Sequence, residues 1–186
     1  MGKIIYVTGG ARSGKSSYAE ELIFDSKKER IYIATSIAFD GEMKERVRLH
    51  KLQRGEEWVT IEAYKGITKY LEAYKNKEMI ILLDCLTNLV SNNMILEVER
   101  DWDNISQEEL SEIEKEIEVQ VIRILEFIKE SKLDMVVVSN EIGMGVVPPY
   151  ALGRYFRDIC GRMNQLVAKK SDEAHLVVSG LKIKLK

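Results

Sequence analysis

Apolar residues along the chain follow two rhythms. Short, nearly continuous apolar runs rich in Ile, Val and Leu occur at residues 3–8, 30–34, 58–62, 79–84, 135–139 and 174–179. Their length and β-branched content predict buried strands. A last run, 181–185, follows Gly180 closely enough for an antiparallel hairpin. Between the strands, apolar positions recur at helical spacing over 15–26, 41–54, 66–75, 86–94, 107–131 and 150–170. This alternation predicts an α/β fold. Its sheet is mostly parallel, with helices on both faces and one antiparallel C-terminal strand. No internal repeat is evident. A chain of 186 residues suits a single domain, 1–186, and is short for two.

The long helix starts with a capping box, Ser106-Gln107-Glu108-Glu109. Leu110, Ile113, Ile117, Val121, Ile124 and Ile128 then repeat on one face. The acidic stretch 97–118 therefore reads as the solvated side of an amphipathic helix rather than a docking surface. Pro148-Pro149 follows Gly143-Met144-Gly145 beyond a strand end and marks a shaped loop.

Composition narrows the class by exclusion. There are 28 Lys and Arg against 30 Asp and Glu, a formal charge of −2. The basic excess usual for a nucleic-acid binder is missing. No apolar run approaches the ~18 residues of a membrane span. The N-terminus reads as a core strand, not a signal peptide. Cys85 and Cys160 lie far apart without metal-site spacing, and read as buried thiols in a reducing cytoplasm.

The chemistry starts directly after the first strand. Gly9-Gly10-Ala11-Arg12-Ser13-Gly14-Lys15-Ser16 fits G-x-x-x-x-G-K-[ST] at every fixed position, between a strand and a helix. The glycines let backbone N–H groups turn inward, and the helix start adds positive charge. Lys15 is placed for the β- and γ-phosphates, and the Ser16 hydroxyl for Mg²⁺. Motif and alternation together predict a P-loop NTPase fold of RecA-like type that binds a nucleoside triphosphate. Ligands of open parallel sheets sit beyond the C-terminal strand ends. Thr35, Ser36, Glu62, Asp84, Asn140 and Glu141 all fall there.

The two histidines differ. His175 starts a late strand and reads as structural. His50 lies on the 41–54 helix with Arg46 one turn before and Arg54 one turn after, and Lys51 beside it. Arginines so placed suit phosphate, and nearby positive charge favours the neutral, nucleophilic imidazole. Spacing alone fits an exposed basic helix face better.

Several separate blocks resemble the bifunctional adenosylcobinamide kinase/adenosylcobinamide-phosphate guanylyltransferase family of cobalamin assembly. They are the phosphate loop with Thr8, Tyr32-Ile33-Ala34-Thr35-Ser36, Asp40-Gly41-Glu42-Met43 leading to Arg46 and His50, and Leu83-Asp84-Cys85-Leu86-Thr87-Asn88. The longest begins Ser139-Asn140-Glu141-Ile142-Gly143-Met144-Gly145, continues over 153–165 and ends with Val178-Ser179-Gly180. The resemblance implies two linked reactions. A kinase step phosphorylates the hydroxyl of adenosylcobinamide's aminopropanol arm, with ATP or GTP as donor. A guanylyltransferase step joins GMP from GTP to that phosphate, giving adenosylcobinamide-GDP and pyrophosphate. The resemblance makes His50 the carrier of a covalent GMP.

Nucleotide contacts implied by the same resemblance are Gly9, Gly10, Ala11, Arg12, Ser13, Gly14, Lys15, Ser16, Ala34, Thr35, Ser36, Lys51, Leu52, Gln53, Arg54, Glu62 and Asp84. Asp84 looks like a Walker B carboxylate for Mg²⁺, yet a carboxylate there can equally accept from guanine or ribose. A cytoplasmic homotrimer is implied by resemblance. Residues 143–149 and 150–162 are candidates for corrinoid docking, and no general base for the kinase step is evident. An alternative is a P-loop small-molecule kinase without guanylyl transfer, which has no use for His50. A regulatory GTPase fits worse. Asn76-Lys77-Glu78-Met79 lacks the guanine-reading aspartate, and Asp84 is followed by Cys85-Leu86-Thr87 instead of a switch glycine. A purely structural ATP-binding protein would not need Lys15 with Ser16.

Overall fold

The computed structural model describes residues 1–36, 58–96 and 98–186. Its seven strands are β1 (Ile4–Gly9), β2 (Glu29–Ala34), β3 (Trp58–Glu62), β4 (Met79–Asp84), β5 (Asp134–Asn140), β6 (Glu173–Val178) and β7 (Leu181–Lys184). They form one sheet in the order β3-β2-β4-β5-β1-β6-β7. Every pair is parallel except β6–β7. The helices among the described residues are α1 (Lys15–Asp25), α2 (Ile67–Leu71), α3 (Leu86–Ile95), α4 (Gln107–Lys129) and α5 (Ala151–Lys170). One strand, β5, separates the loop strand β1 from the Asp84 strand β4. With the phosphate loop after β1, that is the RecA-like form of the P-loop NTPase fold expected from the sequence.

Side chains alternate along each strand and build two cores. Ile4, Ile31, Ile33, Ile81, Leu83, Met135 and Val137 pack under α2, α3, α4 and α5. Ile5, Val7, Ile80, Leu82, Val136 and Val138 pack on the other face with Ala19 and Ile23 of α1. Both faces of the central strands are buried, which is why their sequences read as unbroken apolar runs.

Two local expectations change. Residues 66–75, expected as one helix, split into α2 and a 3₁₀ turn, Glu72–Tyr74. Gly66 stands outside α2 as a left-handed cap, φ 60°. Ile67 and Leu71 are the buried residues of this single-turn helix, and Tyr74 of the 3₁₀ turn packs half-buried against the same core. In the capping box, the Ser106 hydroxyl accepts from the Glu109 N–H at 3.1 Å, as expected. The Glu109 carboxylate instead accepts from Arg100 Nε at 3.1 Å. The helix expected over 41–54 lies outside the described residues.

Candidate active site

The phosphate loop is shaped by close backbone approaches. Gly9 ends β1, and a Cβ there would lie 2.4 Å from the Val177 carbonyl oxygen. Gly14 has φ 96°, and its Cβ would meet the Gly180 Cα at 3.3 Å. Only glycine fits that conformation without strain. The Ser13 N–H donates to the Gly10 carbonyl at 3.3 Å, and the Gly180 N–H donates to the Ser13 carbonyl at 2.8 Å. The loop is thus folded on itself and fastened to the turn between β6 and β7.

Gly14 is also the N-cap of α1, and no side chain caps that end among the described residues. The first-turn N–H groups of α1 have no intrahelical partners and face an anion-ready opening. Lys15 is only 9% exposed, and its ammonium donates to the Gly10 carbonyl at 3.1 Å. Burial lowers the Lys15 pKa, while the nearby Cys85 and Asp84 act in the opposite direction. A partly desolvated ammonium beside open N–H groups is stabilised by an incoming phosphate. Ser16 lies exposed on the same helical turn.

Opposite the loop stands a corner built on β2 and β4. Ala34, last in β2, is in register with Asp84 and with Glu62, the last residues of β4 and β3. The Tyr32 hydroxyl donates to Asp84 Oδ2 at 3.1 Å. Thr35 is fully buried. Its hydroxyl donates to the Cys85 carbonyl and accepts from the Cys85 N–H, both at 2.7 Å. Its N–H donates to the Asp84 carbonyl at 3.1 Å, and its own carbonyl accepts from Asn92 Nδ2 at 2.6 Å. Thr35 thus spends its hydroxyl on holding the backbone behind the Asp84 carboxylate. Cys85, in cis peptide linkage to Asp84, caps α3 by accepting from the Asn88 N–H at 3.4 Å. Burial pushes its thiol up to about 11.

Behind β5 lies a buried polar network that ties the strand-end residue Asn140 to Thr87, Ser139 and Asn164, three residues without an assigned role in the sequence. Ser139 Oγ donates to Asn164 Oδ1 at 2.6 Å and lies 3.2 Å from Thr87 Oγ1. Asn164 Nδ2 donates to the Asn140 carbonyl at 3.1 Å, and the Asn140 N–H donates to Thr87 Oγ1 at 2.8 Å. Polar residues on the buried faces of α3 and α5 are the signal that finds them: Thr87, Asn92 and Asn164. His175 behaves as expected: it is buried, with Nδ1 3.3 Å from the Tyr18 hydroxyl and Nε2 3.3 Å from Glu173 Oε2.

The expected contacts Gly9, Gly10, Ala11, Arg12, Ser13, Gly14, Lys15, Ser16, Ala34, Thr35, Ser36, Glu62 and Asp84 all lie at the C-terminal edge of the parallel strands or directly beyond it. His50, Lys51, Leu52, Gln53 and Arg54, with Arg46, lie outside the described residues. A groove of about 590 Å³ lies elsewhere, between α2 and α4, lined by Lys69, Glu112, Lys115, Glu116 and Arg123 among others. Four steps of the sheet order separate the adjoining edge strand β3 from β1.

Ser16 and Asp84 present the hard oxygen ligands that Mg²⁺ takes. That ion commonly uses one or two carboxylates plus substrate phosphates instead of an all-protein cage. The donor set fits it.

Strand, glycine loop, open helix end and buried lysine define a P-loop nucleotide-binding protein. Comparison with known proteins narrows the class. The family model described as cobinamide kinase / cobinamide phosphate guanyltransferase matches residues 5–185. The bifunctional adenosylcobalamin biosynthesis protein CobU of Escherichia coli is 39% identical over 183 residues, covering 98% of this chain and 99% of its own. CobU of Salmonella typhimurium is 41% identical over 187 residues, with 98% and 99% covered. The bifunctional protein CobP of Pseudomonas aeruginosa is 33% identical over 180 residues, with 97% and 95% covered. A crystal structure of the RadB recombinase aligns with TM-score 0.48 and 16% identity, over 94% of this chain and 73% of that one. The chain belongs to the cobinamide kinase / cobinamide phosphate guanyltransferase family. It is a bifunctional enzyme with those two activities.

Proposed function

We propose that one domain, residues 1–186, runs both reactions through the same phosphate loop. It phosphorylates adenosylcobinamide with ATP or GTP, then transfers GMP from GTP by way of a GMP-histidine on His50. The observation that carries this reading is the fixed lysine. Lys15 rests on the Gly10 carbonyl, over an uncapped helix end and on the side of the sheet where Asp84 stands.

In the kinase step the loop N–H groups and Lys15 bind the β- and γ-phosphates. The acceptor hydroxyl attacks the γ-phosphorus, and the electron pair of the breaking bond goes to the β-phosphate oxygen. Such transfer depends on positioning and charge stabilisation. In the guanylyl step the loop and Lys15 grip what becomes pyrophosphate, and neutral His50 attacks the α-phosphorus. Arg46 or Arg54 offsets charge developing there. The phosphate of adenosylcobinamide-phosphate then displaces the imidazole. Ser16 and Asp84 would hold Mg²⁺, which would neutralise charge on the phosphate oxygens. Asp84 can instead meet guanine or ribose through the oxygen that Tyr32 leaves open. Ala34, Ser36 and Glu62 flank the nucleotide, and Lys51, Leu52, Gln53 and Arg54 approach it beside His50. The corrinoid rests on the loop after β5, where Met144 is 83% and Val146 95% exposed. The enzyme acts as a cytoplasmic homotrimer, a setting that suits its two buried free thiols. No helix among the described residues is long and apolar enough to cross a membrane.

The test supplies adenosylcobinamide and Mg²⁺ with ATP or GTP and follows corrinoid mass. Adenosylcobinamide-phosphate is expected with at least one nucleotide, and adenosylcobinamide-GDP with GTP. His50→Ala should stop at the phosphate. Full conversion to the GDP product by His50→Ala overturns the histidine intermediate, and absence of any phosphate product from the wild type overturns the kinase reading.

A further inference from the structure

We propose that Glu141 is the general base of the kinase step. Its carboxylate takes the proton of the acceptor hydroxyl as that oxygen attacks the γ-phosphorus. The assignment rests on the functional reading above and supplies the base that reading lacks.

Placement comes from the sheet. β5 runs between the Asp84 strand and the loop strand, with Asp84 in register with Val138 and Gly9 in register with Asn140. Glu141 is the next residue, and its N–H donates to the Gly9 carbonyl at 3.1 Å. Its backbone is therefore bonded directly to the first residue of the phosphate loop. The strand end beneath is pinned on both sides of the peptide, by Thr87 on the Asn140 N–H and by Asn164 on the Asn140 carbonyl.

Orientation comes from the loop. Glu141 Oε1 accepts from the Gly143 N–H at 2.9 Å. A Cβ on Gly143 would lie only 3.0 Å from that oxygen, so glycine leaves it room. Among the described residues Oε2 takes no hydrogen bond, and its lone pairs stay available for a proton. Asp84 is placed for a different task, with Oδ2 occupied by the Tyr32 hydroxyl and its charge acting on Lys15. Immediately after Glu141 the chain exposes Met144 and Val146, an apolar platform for the acceptor. The hydroxyl of a large substrate resting there would approach this carboxylate on the side of the phosphate loop, to whose first residue Glu141 is bonded.

The step balances. The acceptor oxygen forms its bond to the γ-phosphorus and the β,γ-bridging P–O bond breaks. The leaving nucleoside diphosphate keeps that electron pair. The hydroxyl proton passes to the Glu141 carboxylate and on to water.

The full-length variant Glu141→Gln tests this with two substrates. With adenosylcobinamide, kinase kcat should fall about 100-fold or more. KM for the nucleotide should stay within about threefold, as expected of a group that acts in the transition state. With adenosylcobinamide-phosphate, which bypasses the kinase step, GMP transfer should continue, showing an intact fold and loop. Glu141→Asp should recover part of the kinase rate. Kinase turnover near wild type in Glu141→Gln overturns the assignment alone. A parallel fall of both activities overturns it too, as a merely structural role would give. No phosphorylation by the wild type would overturn both this assignment and the functional reading.

Discussion

The loops after β1 and β5 leave neighbouring strands whose last residues, Gly9 and Asn140, are in register, yet they are built in opposite ways. The first is folded inward: the Ser13 N–H turns back on Gly10, the Gly180 N–H holds Ser13, and Lys15 closes on the Gly10 carbonyl. Its exposed chemistry is backbone N–H. The second turns outward and presents Met144, Val146, Val147 and Tyr150 to the surface. Glycine and serine in one and large apolar residues in the other suit different ligands. An anion is held by backbone dipoles. An exposed apolar patch marks a surface where the face of a broad macrocycle can pack.

The comparison can be broken at several points. Lys15→Ala should cost most, lowering both activities about 10²–10³-fold, read by product formation from each half-reaction. A loss confined to one activity would mean that the loop serves only that one. Next is loop geometry. Gly14→Val places a branched side chain at φ 96° against Gly180 and should destabilise by about 1–3 kcal/mol in urea unfolding. Gly10→Ala is the control, since a Cβ there meets nothing within 4 Å. Equal unfolding midpoints for the two would refute a locked loop. Ser139→Ala should cost about 1–3 kcal/mol by leaving Asn164 Oδ1 without its donor, measured in the same way.

On the outward loop, Val146→Asp should leave stability within about 0.5 kcal/mol, because the side chain is almost wholly exposed. KM for the corrinoid should rise while GTP binding is unchanged. A weakened GTP affinity instead would merge the two loops into one nucleotide site. At neutral pH the smallest expected effect is the pH dependence at Cys85, which grows only above the range where an unfolded thiol ionises. Burial holds the folded thiol at about 11, against about 8.5 in an unfolded chain. Between those values the unfolded state binds fewer protons, so this group's contribution to stability falls as pH rises. Alkylation of the native protein at pH 8 should accordingly be slow and accelerate on unfolding.

Much of the fold was legible because the physics is local. Strands β3 and β4 fall at 58–62 and 79–84 as expected from their apolar runs, and the others shift by a residue at their ends. The phosphate loop was legible because its glycines and lysine are needed at fixed spacing. The Thr35 corner was not, because hydrogen bonds to Cys85 and Asn92 join residues 50 and 57 positions apart. The same holds for Ser139, whose hydroxyl looks like a break in an apolar strand until α3 and α5 are packed around it. Glu109 shows the converse: local rules supplied the serine cap, but a partner at Arg100 took the carboxylate.

The central claim is that one loop serves two chemistries through a covalent intermediate. It is tested most directly by incubating the enzyme with Mg²⁺ and GTP labelled on the α-phosphate, then separating the protein under denaturing conditions. The account predicts an acid-labile label on the wild type, none on His50→Ala, and loss of both label and kinase activity in Lys15→Ala. An unlabelled wild-type enzyme that still phosphorylates adenosylcobinamide, or a label that survives His50→Ala, would contradict it.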